Sequence, residues 1–392
     1  MITFVNQFSH VMKLAHLNSI YSLFKTPELF GRYLTNFQIE KSLNKFPKSI
    51  ISIIGYSVED RPIYNLKFGH GPIKILLWSQ MHGNESTTTK ALFDCFNLFE
   101  TNNFIPNSIL NACTLCVIPI LNPDGAERYT RINANEIDLN RDAQDLSQPE
   151  SKILRDIYNS FQPDYCFNLH GQRSIFGVND SGISATLSFL SPSQDEECSL
   201  TPNRKVAMAV IAEVNNLLQE EIPNSIGRYN DGFNLDCVGD TFQNFGVPTL
   251  LYEAGHYSND YNREDVRRFM FIAIIKGLDI ISKGVDGSNY KDYFKIPKNS
   301  KSFYDIIIRN AKVFNSDFEL TDIAVQYKEV LKANRIEFRP FIEAISKLDK
   351  SYGHKEIDAK GGLVRNIENL ELKVGYENDF VLVNNKKISL KP

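Results

Sequence analysis

Between Ile51 and Ser282 short apolar runs alternate with longer segments of helical period, an order that suits a sheet covered by helices and few other arrangements. Ile73 to Trp78 is apolar at nearly every position, as a strand buried on both faces requires, and a helix is expected over 86–100 directly after it. The alternation continues with a strand from Cys113 to Leu121, a polar loop to Asp145 and a helix from Gln148 to Phe161. A strand from Asp164 to Leu169, a helix from Asn203 to Ile222, a strand from Pro248 to Tyr252 and a helix from Asp265 to Ser282 complete it. Together with two earlier strands, Ile51 to Ile54 and Pro62 to Phe68, this predicts an α/β fold. Its central sheet should be mixed but mostly parallel, with helices on both faces and functional residues beyond the carboxyl ends of the strands.

The flanks read differently. Residues 1–35 form an expected helical lead-in, with Thr26-Pro27-Glu28 as a helix start. After Lys283-Gly284-Val285-Asp286 come short β-like runs (Ser302 to Arg309, Ile336 to Ile345, Asp379 to Val383) separated by Gly, Asn and Lys. The expected division is therefore a lead-in at 1–35, a main domain at 36–286 and a small β-rich accessory domain at 287–392.

The formal charge of −4 conceals +4 over 289–392 and −8 over the remainder. The mild overall acidity gives no general attraction to a polyanion, so nucleic acid and membrane surfaces are not expected partners. No apolar run reaches the roughly 18–20 residues of a membrane span, and polar residues interrupt Met1 to Phe24. A cytoplasmic chain without signal peptide or anchor is the expectation. The six cysteines are sparse and read as small buried hydrophobes, with Cys113 and Cys116 on opposite faces of one strand.

Polar residues with chemical potential fall where strands end. His82-Gly83-Asn84-Glu85 follows the first buried strand, and the i, i+3 spacing aims an imidazole and a carboxylate the same way. Asn122-Pro123-Asp124-Gly125 is a turn after the next strand, followed by Arg128, Arg131 and Asp138-Leu139-Asn140-Arg141. Guanidiniums in such a loop suit a carboxylate, which the planar fork binds through two hydrogen bonds, or pair with acids at the surface. His170 ends the strand that starts at Asp164, and Glu253 ends the one that starts at Pro248. Gathered at one sheet edge, these clusters supply two His and a Glu for a metal with an open position, a separate carboxylate, and cations. Zinc is the default metal for that donor set, and manganese or iron also fits the ligand types. His256 either supports Glu253 or packs structurally, and Arg173 faces a substrate or the surface. His10, His16, His70 and His354 have no neighbours of matching type.

With these residues, the chain resembles the zinc carboxypeptidase family from about Ile54 to His256. Gly55-Tyr56-Ser57-Val58-Glu59-Asp60-Arg61 is similar to the family's Gly-x-Ser-x-x-x-Arg turn, and Asp138-Leu139-Asn140-Arg141 to its Asp-x-Asn-Arg element. The resemblance implies one zinc ion per chain held by His82, Glu85 and His170, with Asp138 supporting a ligand His. It implies Glu253 as general base, Arg131 polarising the scissile carbonyl, Asn140 and Arg141 holding a terminal carboxylate, and Tyr229 closing over the substrate. Asn84 stands where the pancreatic members have Arg, and the segment from Glu85 to His170 is shorter than theirs.

The implied activity is hydrolysis of the amide bond next to a terminal carboxylate in a peptide. The alternatives are deacylation of N-acyl amino acids or cell-wall peptides, and carboxylate binding without turnover. Asp231, Asp236 and Asp240, which precede Glu253, would favour a basic or amine-bearing substrate. The 287–392 segment does not resemble the accessory domain of regulatory members.

Overall fold

The computed structural model describes residues 13–101, 103–313, 320–368 and 370–392. Residues 1–12 of the lead-in, His10 among them, lie outside the described residues. In chain order the first elements are helices α1 (Leu14–Phe24) and α2 (Asn36–Leu43), then strands β1 (Ile51–Tyr56), β2 (Pro62–Gly69) and β3 (Ile73–Ser79). Helices α3 (Thr87–Phe99) and α4 (Phe104–Ala112), strand β4 (Cys113–Ile118), and helices α5 (Pro123–Arg128) and α6 (Pro149–Phe161) follow. Next are β5 (Tyr165–Gly171), β6 (Phe176–Val178), β7 (Leu187–Leu190), α7 (Pro202–Leu218), β8 (Ile226–Arg228), α8 (Val238–Asn244), β9 (Thr249–Ala254) and α9 (Glu264–Ser282).

Eight of these strands form one sheet in the order β1-β2-β4-β3-β5-β9-β7-β8. Four of its seven pairings are parallel and three antiparallel, the mixed, mostly parallel sheet that the alternation predicts. Both faces are covered, and β3 shows why its sequence is apolar throughout. Ile75 and Leu77 pack into the core under α1, α3, α7 and α9, whereas Leu76 and Trp78 enter the second core, under α6 and α8. Cys113 and Cys116 divide between the same two cores, and no two of the six cysteines are bonded. Among the described residues no helix is long and apolar enough to cross a membrane.

Two local expectations are corrected. Thr26-Pro27-Glu28 does not start a helix; residues 25–35 are turns and extended chain. The buried Arg267 on α9 takes the carbonyls of Thr26 and Leu29 as acceptors, and Asp94 of α3 accepts from the Thr26 N–H at 2.7 Å, so these backbone groups are held outside any helical ladder. The Asn122-Pro123-Asp124-Gly125 turn is instead the capped start of α5, with the Asn122 side chain accepting from Gly125 N–H at 2.8 Å.

Beyond α9, strands β10 (Asn299–Lys301), β11 (Phe303–Ala311), β12 (Thr321–Lys332), β13 (Arg335–Ser346) and β14 (Tyr352–Asp358) follow. The last four make a sheet in the order β13-β12-β11-β14, and Val364–Arg365, Phe380–Val383 and Lys386–Ser389 make a three-stranded one. They share an apolar cluster that includes Ile306, Val325, Ile342 and Val381. β10 pairs with β6, tying this part of the chain to the main sheet's side.

Candidate active site

Strands β3, β5 and β9 are parallel neighbours, so their carboxyl ends deliver His82 and Glu85, His170, and Glu253 to one edge. After β3 the chain turns sharply: Gln80 has φ +49°, and a Cβ on Gly83 would stand 1.9 Å from the backbone of Gly125. Only glycine permits that approach, which brings the segment 80–85 against the start of α5. The Gly-x-Ser-x-x-x-Arg turn braces the same place. Ser57 Oγ donates to the buried Asp124 at 2.7 Å, and Arg61 pairs with it at 2.6 Å.

His82 Nδ1 lies 2.9 Å from Glu85 Oε1 and 3.2 Å from His170 Nδ1, and His170 Nδ1 lies 3.0 Å from Glu85 Oε2. The other nitrogen of His82, Nε2, is 3.1 Å from Asp138 Oδ1. Both ring nitrogens of His82 thus face carboxylates, which only accept, so the ring either carries a proton on each nitrogen or donates Nε2–H to Asp138 and turns the Nδ1 lone pair toward a cation held with Glu85. A proton or a metal ion between Nδ1 and Glu85 satisfies that contact. The three ligand atoms lie within 4.8 Å of one another, and the donor set is the two-imidazole, one-carboxylate type suited to catalytic zinc.

Asp138 links this group to Arg131, whose Nε donates to Asp138 Oδ2 at 3.0 Å and whose Nη1 is 3.5 Å from Glu85. Burial pushes the Asp138 carboxyl up, but hydrogen bonding to His82 and the charges of His82 and Arg131 hold it well below the usual carboxylate range. Glu253 pairs in register with His170 across β5 and β9, so both side chains leave the same face. Its Oε2 is buried without a hydrogen-bond partner among the described residues. Burial drives its pKa well up, the Glu85 charge adds to this, and Arg131 and Arg263 oppose it.

Asn140 is buried, and its amide oxygen accepts from Val238 N–H at 3.0 Å, leaving the NH2 group without a partner among the described residues. Arg141 is exposed, donating to the Asn140 carbonyl at 2.6 Å and to Cys237 Sγ at 3.1 Å. Tyr229 follows edge strand β8, and its hydroxyl donates to Gln172 Oε1 at 2.7 Å. Burial, with Glu253 and Glu85 near, raises its phenol pKa. Of the three aspartates, Asp231 is paired with Arg204 and Asp240 is pushed up to about 6 by burial. His256 makes no hydrogen bond to Glu253; its ring packs 4.0 Å from that of His354, which is half-buried and donates to the Ser174 carbonyl at 2.7 Å.

One residue of consequence has no local signature. Arg263 stands before α9 at φ +57°, is 2% exposed, and donates to the carbonyls of Gln172 and Ala254. It thereby fixes the chain just beyond His170 and Glu253, and burial lowers its own pKa to about 10.

Residues 39–273 match the zinc carboxypeptidase family. Carboxypeptidase SOL1 of Arabidopsis thaliana is 29% identical over 168 residues, covering 37% of this chain and 34% of that protein. Carboxypeptidase E of Caenorhabditis elegans is 32% identical over 148 residues, covering 30% of this chain and 31% of that protein. The chain thus spans about a third of the length of either relative. The metallo-carboxypeptidase of Burkholderia cenocepacia is 19% identical, with a TM-score of 0.50 over 63% of this chain and 69% of that one, a likeness of fold. With more than half of its length matched, and with two imidazoles and a carboxylate converging beyond the strands of that fold, the chain belongs to the zinc carboxypeptidase family.

Proposed function

We propose that this chain is a zinc metallocarboxypeptidase that cleaves the amide bond next to a substrate's terminal carboxylate. The observation that carries it is the convergence of His82 Nδ1, Glu85 and His170 Nδ1 beside the unpartnered Glu253 oxygen. His82, Glu85 and His170 would hold one zinc ion, which when bound supplies the Lewis acidity that acidifies water and polarises a carbonyl. Glu253 takes the proton of the attacking water and returns it to the leaving amine; burial and the Glu85 charge raise its pKa and so strengthen it as a base. Arg131 meets the negative charge that develops on the carbonyl oxygen. The free Asn140 NH2 and the exposed Arg141 guanidinium orient the terminal carboxylate, and Tyr229, tied to Gln172, closes on the substrate. Asp138 keeps His82 in the tautomer that turns Nδ1 to the metal.

We assign 36–286 as the catalytic domain, with 1–35 as its lead-in and 287–392 as an accessory domain; the apolar cluster from Ile306 to Leu390 supports a distinct last unit, while Tyr293 and Ile296 pack into the main core. Substrates with free and amidated C-termini test the reading. Release of the last residue from the free peptide alone supports it, and equal release from both refutes carboxylate recognition. N-acyl amino acids run in parallel separate the deacylase alternative, and a retained but uncleaved ligand would mark a binding protein.

A further inference from the structure

A cleft of about 560 Å³ opens beside Glu85 and Arg131, and one of its walls comes from outside the family match. That wall is the stretch Gln326 to Val330 of β12, with Phe341 of β13 next to it. It is seated firmly. Both carboxylate oxygens of Glu329 accept from Arg32 Nη2 at 2.9 Å, and Tyr129 O–H donates to the same group. Gln326 Nε2 donates to Ser174 Oγ at 3.1 Å, and the β6–β10 pairing and the His256–His354 contact hold the flank. Such anchoring makes the wall a fixed part of the cleft.

Neither Asn140 nor Arg141 lines this cleft. A substrate clamped by its carboxylate at those residues, with its scissile bond at the His82–Glu85–His170 group, must send its acyl portion elsewhere, and the cleft beginning at Glu85 and Arg131 receives it. Its lining holds five cationic side chains against two carboxylates. Both carboxylates are spoken for: Glu85 belongs to the metal group and Glu329 is locked by Arg32 and Tyr129. Arg173 is exposed and forms no ion pair among the described residues. Lys328 pairs with Glu377 at the surface, a contact that solvent weakens, and its Nζ stands 4.9 Å over the Phe341 ring. Arg263 adds a buried charge that bonds carbonyls and, among the described residues, no carboxylate.

We propose that the β12–β13 segment is the acyl-side wall of the substrate site, and that Arg173 and Lys328 make it select acyl groups carrying a carboxylate, such as a Glu residue before the scissile bond. The proposal rests on the carboxypeptidase reading for the substrate's orientation. A low-dielectric cleft lined by one sign of charge concentrates the opposite sign, and the aromatic ring under Lys328 offers an apolar floor.

The test uses two peptide pools, both randomised at the C-terminal residue and differing only in Glu or Gln before it. Release is measured with the zinc-loaded wild type, and retention by equilibrium dialysis with zinc-loaded Glu253→Gln. Retention and release should favour the Glu pool about tenfold, and the ratio should fall toward one in Arg173→Gln combined with Lys328→Gln, and part of the way in Arg173→Gln alone. Both positions are exposed, and melting curves check that the variants fold. Equal treatment of the pools by the wild type, or an undiminished ratio in the double variant, overturns the proposal. Selective retention without release by wild type would sink the hydrolase reading and leave the subsite standing. Release without selectivity would do the reverse, and neither retention nor release would sink both.

Discussion

Asp138 touches no proposed metal-binding atom, yet it should govern zinc affinity. Its Oδ1 lies 3.1 Å from His82 Nε2 and its Oδ2 accepts from Arg131 Nε at 3.0 Å, so one carboxylate sets the tautomer of a ligand and the position of the cation beside it. Loss of such a partner typically weakens metal binding about 10- to 100-fold, or about 1.4–2.7 kcal/mol. Asp138→Asn keeps the shape and one acceptor but loses the charge, and belongs at the low end of that range. Asp138→Ala also removes the acceptor that caps Asn140 N–H at 2.9 Å, and belongs at the high end. Competition for zinc against a chelating dye near neutral pH measures both. Affinities within about twofold of wild type in both variants, with melting curves unchanged, would refute the tautomer argument.

Two other sites give sharp expectations. Arg131→Ala should lower kcat about 100- to 1000-fold with a smaller change in KM, because the guanidinium acts on charge present only in the transition state; steady-state kinetics decide. Glu264 is partly buried, which raises its pKa, but Lys90 at 2.6 Å and Lys25 at 2.8 Å more than reverse this and hold it at about 2. A carboxyl depressed from 4.5 to about 2 contributes about 3 kcal/mol that is present above pH 4.5 and is lost as pH falls toward 2. Urea unfolding of wild type and Glu264→Gln, with chelator throughout, should show that difference at pH 6 and a shrinking one in acid.

The strand-end clusters are legible because each is written within a few residues: His82 and Glu85 share one turn, and His170 and Glu253 each end an apolar run. Their convergence follows once the strands are parallel neighbours, which alternation with helices already favours. The rest is written across long separations. Thr26-Pro27 carries a sound local helix-start signal that Arg267, 241 positions away, overrides through the Thr26 carbonyl. Arg32 and Glu329 are 297 positions apart, and neither has a neighbour that marks it. Arg263 bonds backbone carbonyls, which have no sequence identity to read.

The central claim is that a zinc ion and Glu253 act together on an amide bond. Metal content and C-terminal release, measured side by side on wild type and Glu253→Gln, test it most directly. The expectation is one zinc per chain in both proteins, with release falling about 100-fold or more in the variant. A wild type that binds no zinc, or a variant that releases the terminal residue as fast as wild type, would contradict it.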